Sequence, residues 1–366
     1  MNKIKIVHIV EALGGGIYTY FINLTYVLCE NPNIDLTVIY SDKRQELNPD
    51  KIADDFHPST VLINVPMSRE IDFLADYKSF KLLKHELKKL KPDVLHLHSS
   101  KAGILGRMAF LTAFKFNTKL YYTPHGYSFL RKDISSLKRF FFYSIEFLSQ
   151  KLTGGKIIAC GDTEFNYAKK MGPSILVRNG IKFNLKPENS IEKNKQLTTI
   201  GILGRITYAR NPALFNTIAL QNPDLKFIWI GDGELRHLIT APNILVTGWF
   251  KNRKQGLEIL ETLDVYLQTS LWEGLPIALL EAASREIPII ATDIIGNKDI
   301  IATGKTGFLF SDISEFSYIL KKLKPASVRD RIGKANLKRC RLLFDSTLNF
   351  EKLISIYMKD CPKHVS

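Results

Sequence analysis

Four cysteines in 366 residues, Cys29, Cys160, Cys340 and Cys361, form no C-x-x-C pair. The pattern suits reduced thiols in a cytosolic protein, so neither disulfides nor a zinc site is expected. Long apolar runs are missing too. Clusters such as Phe140 to Tyr143 and Leu275 to Leu280 fall well short of the about 18 to 20 residues that a membrane-spanning helix requires, so no bilayer crossing is expected. The first residues, MNKIKIVHIVEALGGG, carry no long apolar stretch or small-residue cleavage site of the kind that marks a secretory signal. There is no G-x-G-x-x-G fingerprint, no low-complexity tract and no nucleic-acid-binding motif. A hydrophobic share of 45% excludes a disordered chain and points to an ordinary globular protein of about two domains.

What the chain has in excess is positive charge, 51 Lys and Arg against 36 Asp and Glu for a formal +15, and it is unevenly placed. Residues 78 to 156 hold 16 basic residues against four acids, so +12 of the +15 falls in about a fifth of the sequence, and a partner of negative charge is expected there. Lys78, Lys81, Lys84, Lys88, Lys89 and Lys91 share one helical segment. Residues 137 to 151 (LKRFFFYSIEFLSQK) interleave Lys138, Arg139 and Lys151 with the aromatics Phe140 to Tyr143. Such a segment suits a surface that meets anionic lipid, with rings among headgroups and cations over phosphate; a core helix with solvated cations accounts for it equally well.

Short β-branched runs alternate with amphipathic stretches throughout, the pattern of an α/β fold with parallel sheets. Strands are predicted near 4–10, 36–40, 61–65, 94–98, 120–123, 157–160 and 175–177, then near 199–203, 227–230, 244–246, 265–268 and 287–291. Helices are predicted over 17–29 and 80–90, and a last amphipathic segment spans 348–358. The polar stretch 182–197 reads as a linker. The expected organisation is a domain over 1–184, a linker over 185–198, a second domain over 199–345 and a C-terminal helix within 346–366 that suits either domain, packing back on the first being one of the two options. In such folds ligands bind at the carboxyl ends of parallel strands, here expected in a cleft between the domains.

Several residues stand at those strand ends. Gly14, Gly15 and Gly16 follow the first strand and precede a helix, where bare backbone N–H groups can approach an anion; a tight turn without ligand is the alternative. Arg205 and Arg210 follow the first strand of the second half, where guanidinium forks suit a diphosphate, although two surface arginines are the simpler account. His125, in Thr123-Pro124-His125-Gly126, can donate to a sugar hydroxyl or reacting oxygen, but a lone histidine is more often structural. His96 and His98 alternate on one strand and are expected to serve packing. Glu273 precedes a helix opened by Pro276 in its first turn, and Glu281 lies inside that helix. The Gly274 and Leu275 amides then sit at a helix N-terminus able to hold phosphate, while the two carboxylates can accept from sugar and ribose hydroxyls.

Taken together, the motifs resemble the family 4 glycosyltransferases: G-R-x(4)-R-N-P at 204–212, W-I-G-D-G-E-L at 229–235, V-T-G-W at 246–249, S-L-W-E-G-L-P-I-A-L-L-E at 270–281, G-N-K-D-I-I at 296–301 followed by G-K-T-G-F at 304–308, T-P-H-G at 123–126 and V-R-N-G-I at 177–181. The resemblance covers nearly the whole chain. It implies a GT-B fold, α/β with two Rossmann-like domains facing a cleft. It also implies a retaining transfer from a nucleotide sugar, UDP-linked before GDP-linked, to a lipid-linked glycan in capsule or O-antigen assembly at the inner face of the cell membrane. By the same resemblance Arg205 and Arg210 would neutralise the donor diphosphate, Glu281 would hold the ribose, and Glu273, Gly274 and Leu275 would bind donor sugar and phosphate. Gly15 and Gly16 would close on the diphosphate, Trp249 would lie near the base, and His125 would touch the transferred sugar. Lys138, Arg139, Phe140 and Phe141 would meet membrane or acceptor. Neither a metal, a further cofactor nor nucleic acid is implied. Two positions depart from the family: Arg210 stands where a lysine is usual, and N-G-V-D is replaced by Asn179-Gly180-Ile181-Lys182. A sugar-nucleotide epimerase of the same fold and a non-catalytic membrane-surface binder are the alternatives.

Overall fold

A computed structural model of the chain describes residues 3–11, 13–43, 49–68, 70–113, 117–131, 134–183, 196–250 and 252–361, with residues 49–51 described by backbone alone. Most of the expected linker, 185–198, and the last five residues lie outside the described residues. The chain forms two compact units, residues 1–179 with 346–366 and residues 180–345.

In the first unit the strands β1 (Ile4–Val10), β2 (Ile34–Tyr40), β3 (Val61–Asn64), β4 (Val94–His98), β5 (Lys119–Thr123), β6 (Lys156–Ala159) and β7 (Ser174–Leu176) pair in parallel in the order β3-β2-β1-β4-β5-β6-β7. The connecting helices are α1 (Gly15–Cys29), α2 (Pro49–Asp55), α3 (Phe73–Leu90), α4 (Ser100–Ala113), α5 (Ser136–Thr153) and α6 (Asp162–Met171). β1 and β4 are buried on both faces, which explains their unbroken apolar character apart from the histidines. Helix α3 starts seven residues before the predicted 80, because the Asp72 carboxylate accepts from the Leu74 and Ala75 amides and caps the helix there.

The second unit repeats the plan. Its strands β8 (Thr199–Leu203), β9 (Lys226–Ile230), β10 (Ile244–Val246), β11 (Val265–Gln268), β12 (Ile289–Thr292) and β13 (Phe308–Phe310) run parallel in the order β10-β9-β8-β11-β12-β13. They are joined by α7 (Pro212–Leu220), α8 (Arg253–Glu261), α9 (Ile277–Ser284) and α10 (Asn297–Ile300), and α11 (Ile313–Leu323) and α12 (Ala326–Leu343) follow β13. Both sheets reverse strand order at one point, between β1 and β4 and between β8 and β11. Ligands of doubly wound sheets bind outside the strand ends at such points.

The last helix, α13 (Ser346–Asp360), belongs to the first unit. Phe350, Leu353 and Tyr357 are fully buried in its core with Tyr20, Phe21 and Leu24 of α1. Each such side chain stabilises by about 1.5 to 3 kcal/mol, so α13 is an integral layer of that unit. Asp360 then accepts from Lys156 Nζ at 2.7 and 2.6 Å and from the Tyr121 hydroxyl. None of the four cysteines forms a disulfide among the described residues.

Candidate active site

In the second unit the loops leaving β8 and β11 are tied together at the switch point. The Thr269 hydroxyl donates to the Arg210 carbonyl at 2.7 Å and the Leu271 amide to the Ala209 carbonyl at 2.8 Å. This brings Arg210 to Glu273: Nη1 stands 2.9 Å from Oε1, and the same oxygen accepts from the Ser270 hydroxyl at 2.8 Å and Gln268 Nε2 at 3.0 Å. One carboxylate oxygen is thereby surrounded by donors, and Oε2 is the oxygen these contacts leave for a ligand hydroxyl. The Arg210 guanidinium packs over Gly204, where a β-carbon would stand 3.4 Å from it. Arg205 is half-buried directly after Gly204.

Pro276 is not in the first turn of α9. Its backbone is extended (φ −74°, ψ 110°), it caps the helix, and its carbonyl accepts from the Leu279 and Leu280 amides. Helical geometry therefore begins at Ile277, and Gly274 and Leu275 lie in the loop before the cap. That loop is pinned from behind by Gly296, whose φ is +88° and whose missing β-carbon would fall 2.5 Å from the Gly274 carbonyl oxygen. Glu281 is buried inside α9 and pairs with Arg253 at the start of α8, a residue the sequence reading did not single out. Trp249, after β10, exposes 56% of its surface.

In the first unit, Gly15 alone among the three glycines requires a left-handed backbone (φ +54°), and Gly14 caps α1 with no side-chain bond, leaving the amides at the N-terminus of α1. His125, after β5, is half-buried with φ +53°. Its turn is held by Glu164, whose carboxylate accepts from the Gly126 amide at 2.7 Å and the Cys160 amide at 2.8 Å. Burial lowers the His125 pKa to about 3, so the ring is neutral near pH 7. His96 and His98 are fully buried, together with His8 of β1, because His8 lies opposite His96 in the parallel register and shares its face. His8 is a second residue that went unnoticed in the sequence. Its position in an apolar run opposite an H-x-H strand was the available signal.

The aromatic segment of α5 divides between the two readings of its sequence. Phe140 and Phe141 are exposed, with Leu137, Leu148 and Leu152, while Phe142 and Tyr143 are half-buried and Tyr143 packs on Phe129. Lys138 and Arg139 lie on the exposed side, and Arg139 Nε donates to the Phe129 carbonyl at 3.0 Å. Helix α3 adds exposed Phe73, Leu74 and Tyr77 ahead of its lysines, and α4 packs against both α3 and α5. Among the described residues no helix is long and apolar enough to cross a membrane.

Two doubly wound parallel units make up the GT-B architecture. The sucrose-phosphate synthase of Thermosynechococcus elongatus superposes with a TM-score of 0.80 over 98% of this chain and 99% of its own, at 14% identity. By sequence, residues 14–183 match the model described as Glycosyltransferase Family 4, and residues 198–323 the one described as Glycosyl transferases group 1. The UDP-Gal:alpha-D-GlcNAc-diphosphoundecaprenol alpha-1,3-galactosyltransferase of Escherichia coli is 29% identical over 96% of this chain and 95% of its own length. The capsular polysaccharide biosynthesis glycosyltransferase CapM of Staphylococcus aureus is 26% identical over 89% and 90%. The chain belongs to the family 4 glycosyltransferases and is a transferase of polysaccharide biosynthesis. The epimerase and non-catalytic readings give way to that assignment.

Proposed function

We propose that the protein transfers a sugar, with retention of configuration, from a UDP-sugar to a lipid-linked glycan during surface polysaccharide assembly, and that it works against an anionic membrane face. The observation that carries this reading is the Arg210–Glu273 pair at the β8/β11 switch point, in a chain whose Escherichia coli relative is named for a UDP-sugar donor and a diphosphoundecaprenol acceptor.

Arg205 and Arg210 place positive charge where the diphosphate leaves, so catalysis is mainly positioning and electrostatic stabilisation of the leaving group. Glu273, held through Oε1, offers Oε2 to a donor-sugar hydroxyl. Glu281, oriented by Arg253, accepts from the ribose. The Gly15 and Gly16 amides contribute donors at the N-terminus of α1, and His125 donates to the transferred sugar as a neutral imidazole. With the arginines supplying the charge, turnover is expected to survive chelation of divalent metals. The exposed aromatics of α5 and α3, flanked by Lys138, Arg139 and the α3 lysines, provide the lipid-facing surface.

The test combines Glu273→Ala with nucleotide-dependent thermal unfolding. UDP at a hundredfold excess over its dissociation constant should stabilise the protein by about 2.7 kcal/mol, ahead of GDP, ADP and CMP. Glu273→Ala should abolish transfer from UDP-sugars while the fold persists. Near-normal turnover in that variant, or stabilisation by GDP alone, refutes the reading.

A further inference from the structure

The proposed transfer uses His125 but leaves three neighbouring histidines without a role. His8 Nδ1 stands 2.7 Å from His98 Nε2, and His98 Nδ1 stands 2.9 Å from His125 Nε2, so the rings form a line from the centre of the sheet to the end of β5. The rings meet edge to edge and are close to coplanar, with centroids 5.0 and 5.2 Å apart and interplanar angles of 27° and 22°. His96 braces the line: its ring lies 4.2 Å from that of His98, and its nitrogens are held by Tyr357 Oη at 2.5 Å and Thr123 Oγ1 at 2.8 Å.

The His8, His96 and His98 nitrogens converge closely enough to suggest a metal cluster. The spacing argues otherwise. Two nitrogens on one tetrahedral zinc, with bonds near 2.05 Å, lie about 3.3 Å apart, whereas the 2.7 Å between His8 Nδ1 and His98 Nε2 is a hydrogen-bond separation.

A neutral imidazole has one N–H and one acceptor nitrogen. Burial lowers the pKa of His8 to about 3 and that of His98 well below 6.5, so each ring of the line is neutral. Only two arrangements then satisfy both hydrogen bonds. In one, His8 donates from Nδ1, His98 donates onward from Nδ1, and His125 accepts at Nε2 and carries its proton on Nδ1. In the other, every proton sits on Nε2 and the direction reverses. His8 Nε2 is buried and has no hydrogen-bond partner among the described residues, so the second arrangement orphans an N–H in the core, while the first leaves only a lone pair there. Buried N–H groups without acceptors are the rarer and costlier defect.

We propose that His98, backed by His8, is a positioning residue that sets the tautomer of His125, so that the Nδ1 of His125, the ring nitrogen the line does not use, is a fixed N–H donor. The functional consequence rests on the reading that His125 faces the donor sugar; the tautomer itself does not. The line moves no proton in the reaction. It fixes beforehand which edge of a half-buried ring donates, where a free neutral imidazole would divide between two tautomers.

The test is the ring-nitrogen NMR spectrum of the full chain labelled with ¹⁵N-histidine at pH 7.5, with the His125 signals assigned by their loss in His125→Phe. The expected result is a pyrrole-type Nδ1 and a pyridine-type Nε2 in the unmodified protein, a measurement that requires no core variant to fold. His98→Leu, which removes the donor to His125 Nε2, should raise the Nε2–H share of His125 severalfold, and His98→Asn, whose amide can donate near the Nδ1 position, should restore the tautomer. In a UDP-sugar transfer assay His98→Leu should lower kcat about tenfold with KM for the donor unchanged, with recovery in His98→Asn. A pyrrole-type Nε2 in the unmodified protein, or a His125 spectrum unmoved by His98→Leu in folded protein, overturns the proposal. Absence of transfer from any UDP-sugar would instead refute the proposed function and leave the tautomer assignment standing or falling on the spectrum.

Discussion

Lowering the pH from 7 to 5.5 should destabilise the first unit selectively through its histidines. His8, His96 and His98 are fully buried, and burial lowers the pKa of each below the ordinary 6.5, with mutual repulsion adding for His96 and His98. The unfolded chain therefore binds protons that the native state refuses. Stability is fully present above about pH 6.5 and is lost as pH falls from there toward the folded-state values. Between pH 7 and 5.5 an imidazole that stays neutral in the fold forfeits about 1.3 kcal/mol, so these three with His125, whose pKa burial lowers to about 3, together forfeit about 5 kcal/mol. Glu146, also fully buried, acts in the opposite sense: desolvation raises its pKa, so acidification relieves part of its burial cost. The assay is amide hydrogen exchange on β1 and β4, corrected for the pH dependence of the intrinsic rate. Protection there should fall by up to several thousandfold, the equilibrium equivalent of about 5 kcal/mol. His8→Leu should shrink the loss by about a quarter. Equal protection of β1 and β4 at the two pH values would refute the reasoning, since it would mean that these rings are either protonated in the native state or not desolvated.

Gly296→Ala should destabilise the second unit by about 2 kcal/mol or more in urea unfolding, because a left-handed backbone and a 2.5 Å clash with the Gly274 carbonyl combine, and it should weaken UDP binding by displacing the Glu273 loop. Arg253→Leu should leave Glu281 buried without its partner; with Arg253 itself partly exposed, a loss of about 1 to 2 kcal/mol is expected in the same assay, together with a rise in the dissociation constant for UDP. Charge reversal at Lys138 and Arg139 should reduce sedimentation with anionic liposomes while turnover of a soluble acceptor survives, and unchanged sedimentation would remove α5 from the membrane surface.

The parts of this fold that were legible in the sequence are those whose signal is local. β1, β4, β8 and β11 are runs of apolar residues ended by glycine or polar turns, and their predicted limits agree with the structure to within a residue. Asn211-Pro212 announces α7 because both the cap and the fixed φ of proline are encoded in two adjacent positions. Where the physical cause is distant, the sequence is silent. β13 is only three residues long and is a strand because β12 pairs with it. The role of Arg253 depends on α8 lying beside α9, and that of Glu164 on α6 lying beneath the His125 turn.

His8 is the sharpest instance of the same rule. A single histidine in an apolar strand carries no local instruction, and its neighbours in sequence, Val7 and Ile9, are simply core. Its meaning arises when β4 inserts beside β1 at the strand-order reversal, where the parallel register sets His8 against His96 and places His98 within hydrogen-bond distance. The topology that generates the switch point thus also assembles the histidine line behind it. A substitution at position 98 can therefore reach His125 at the end of the neighbouring strand without any change in the residues that would touch a ligand.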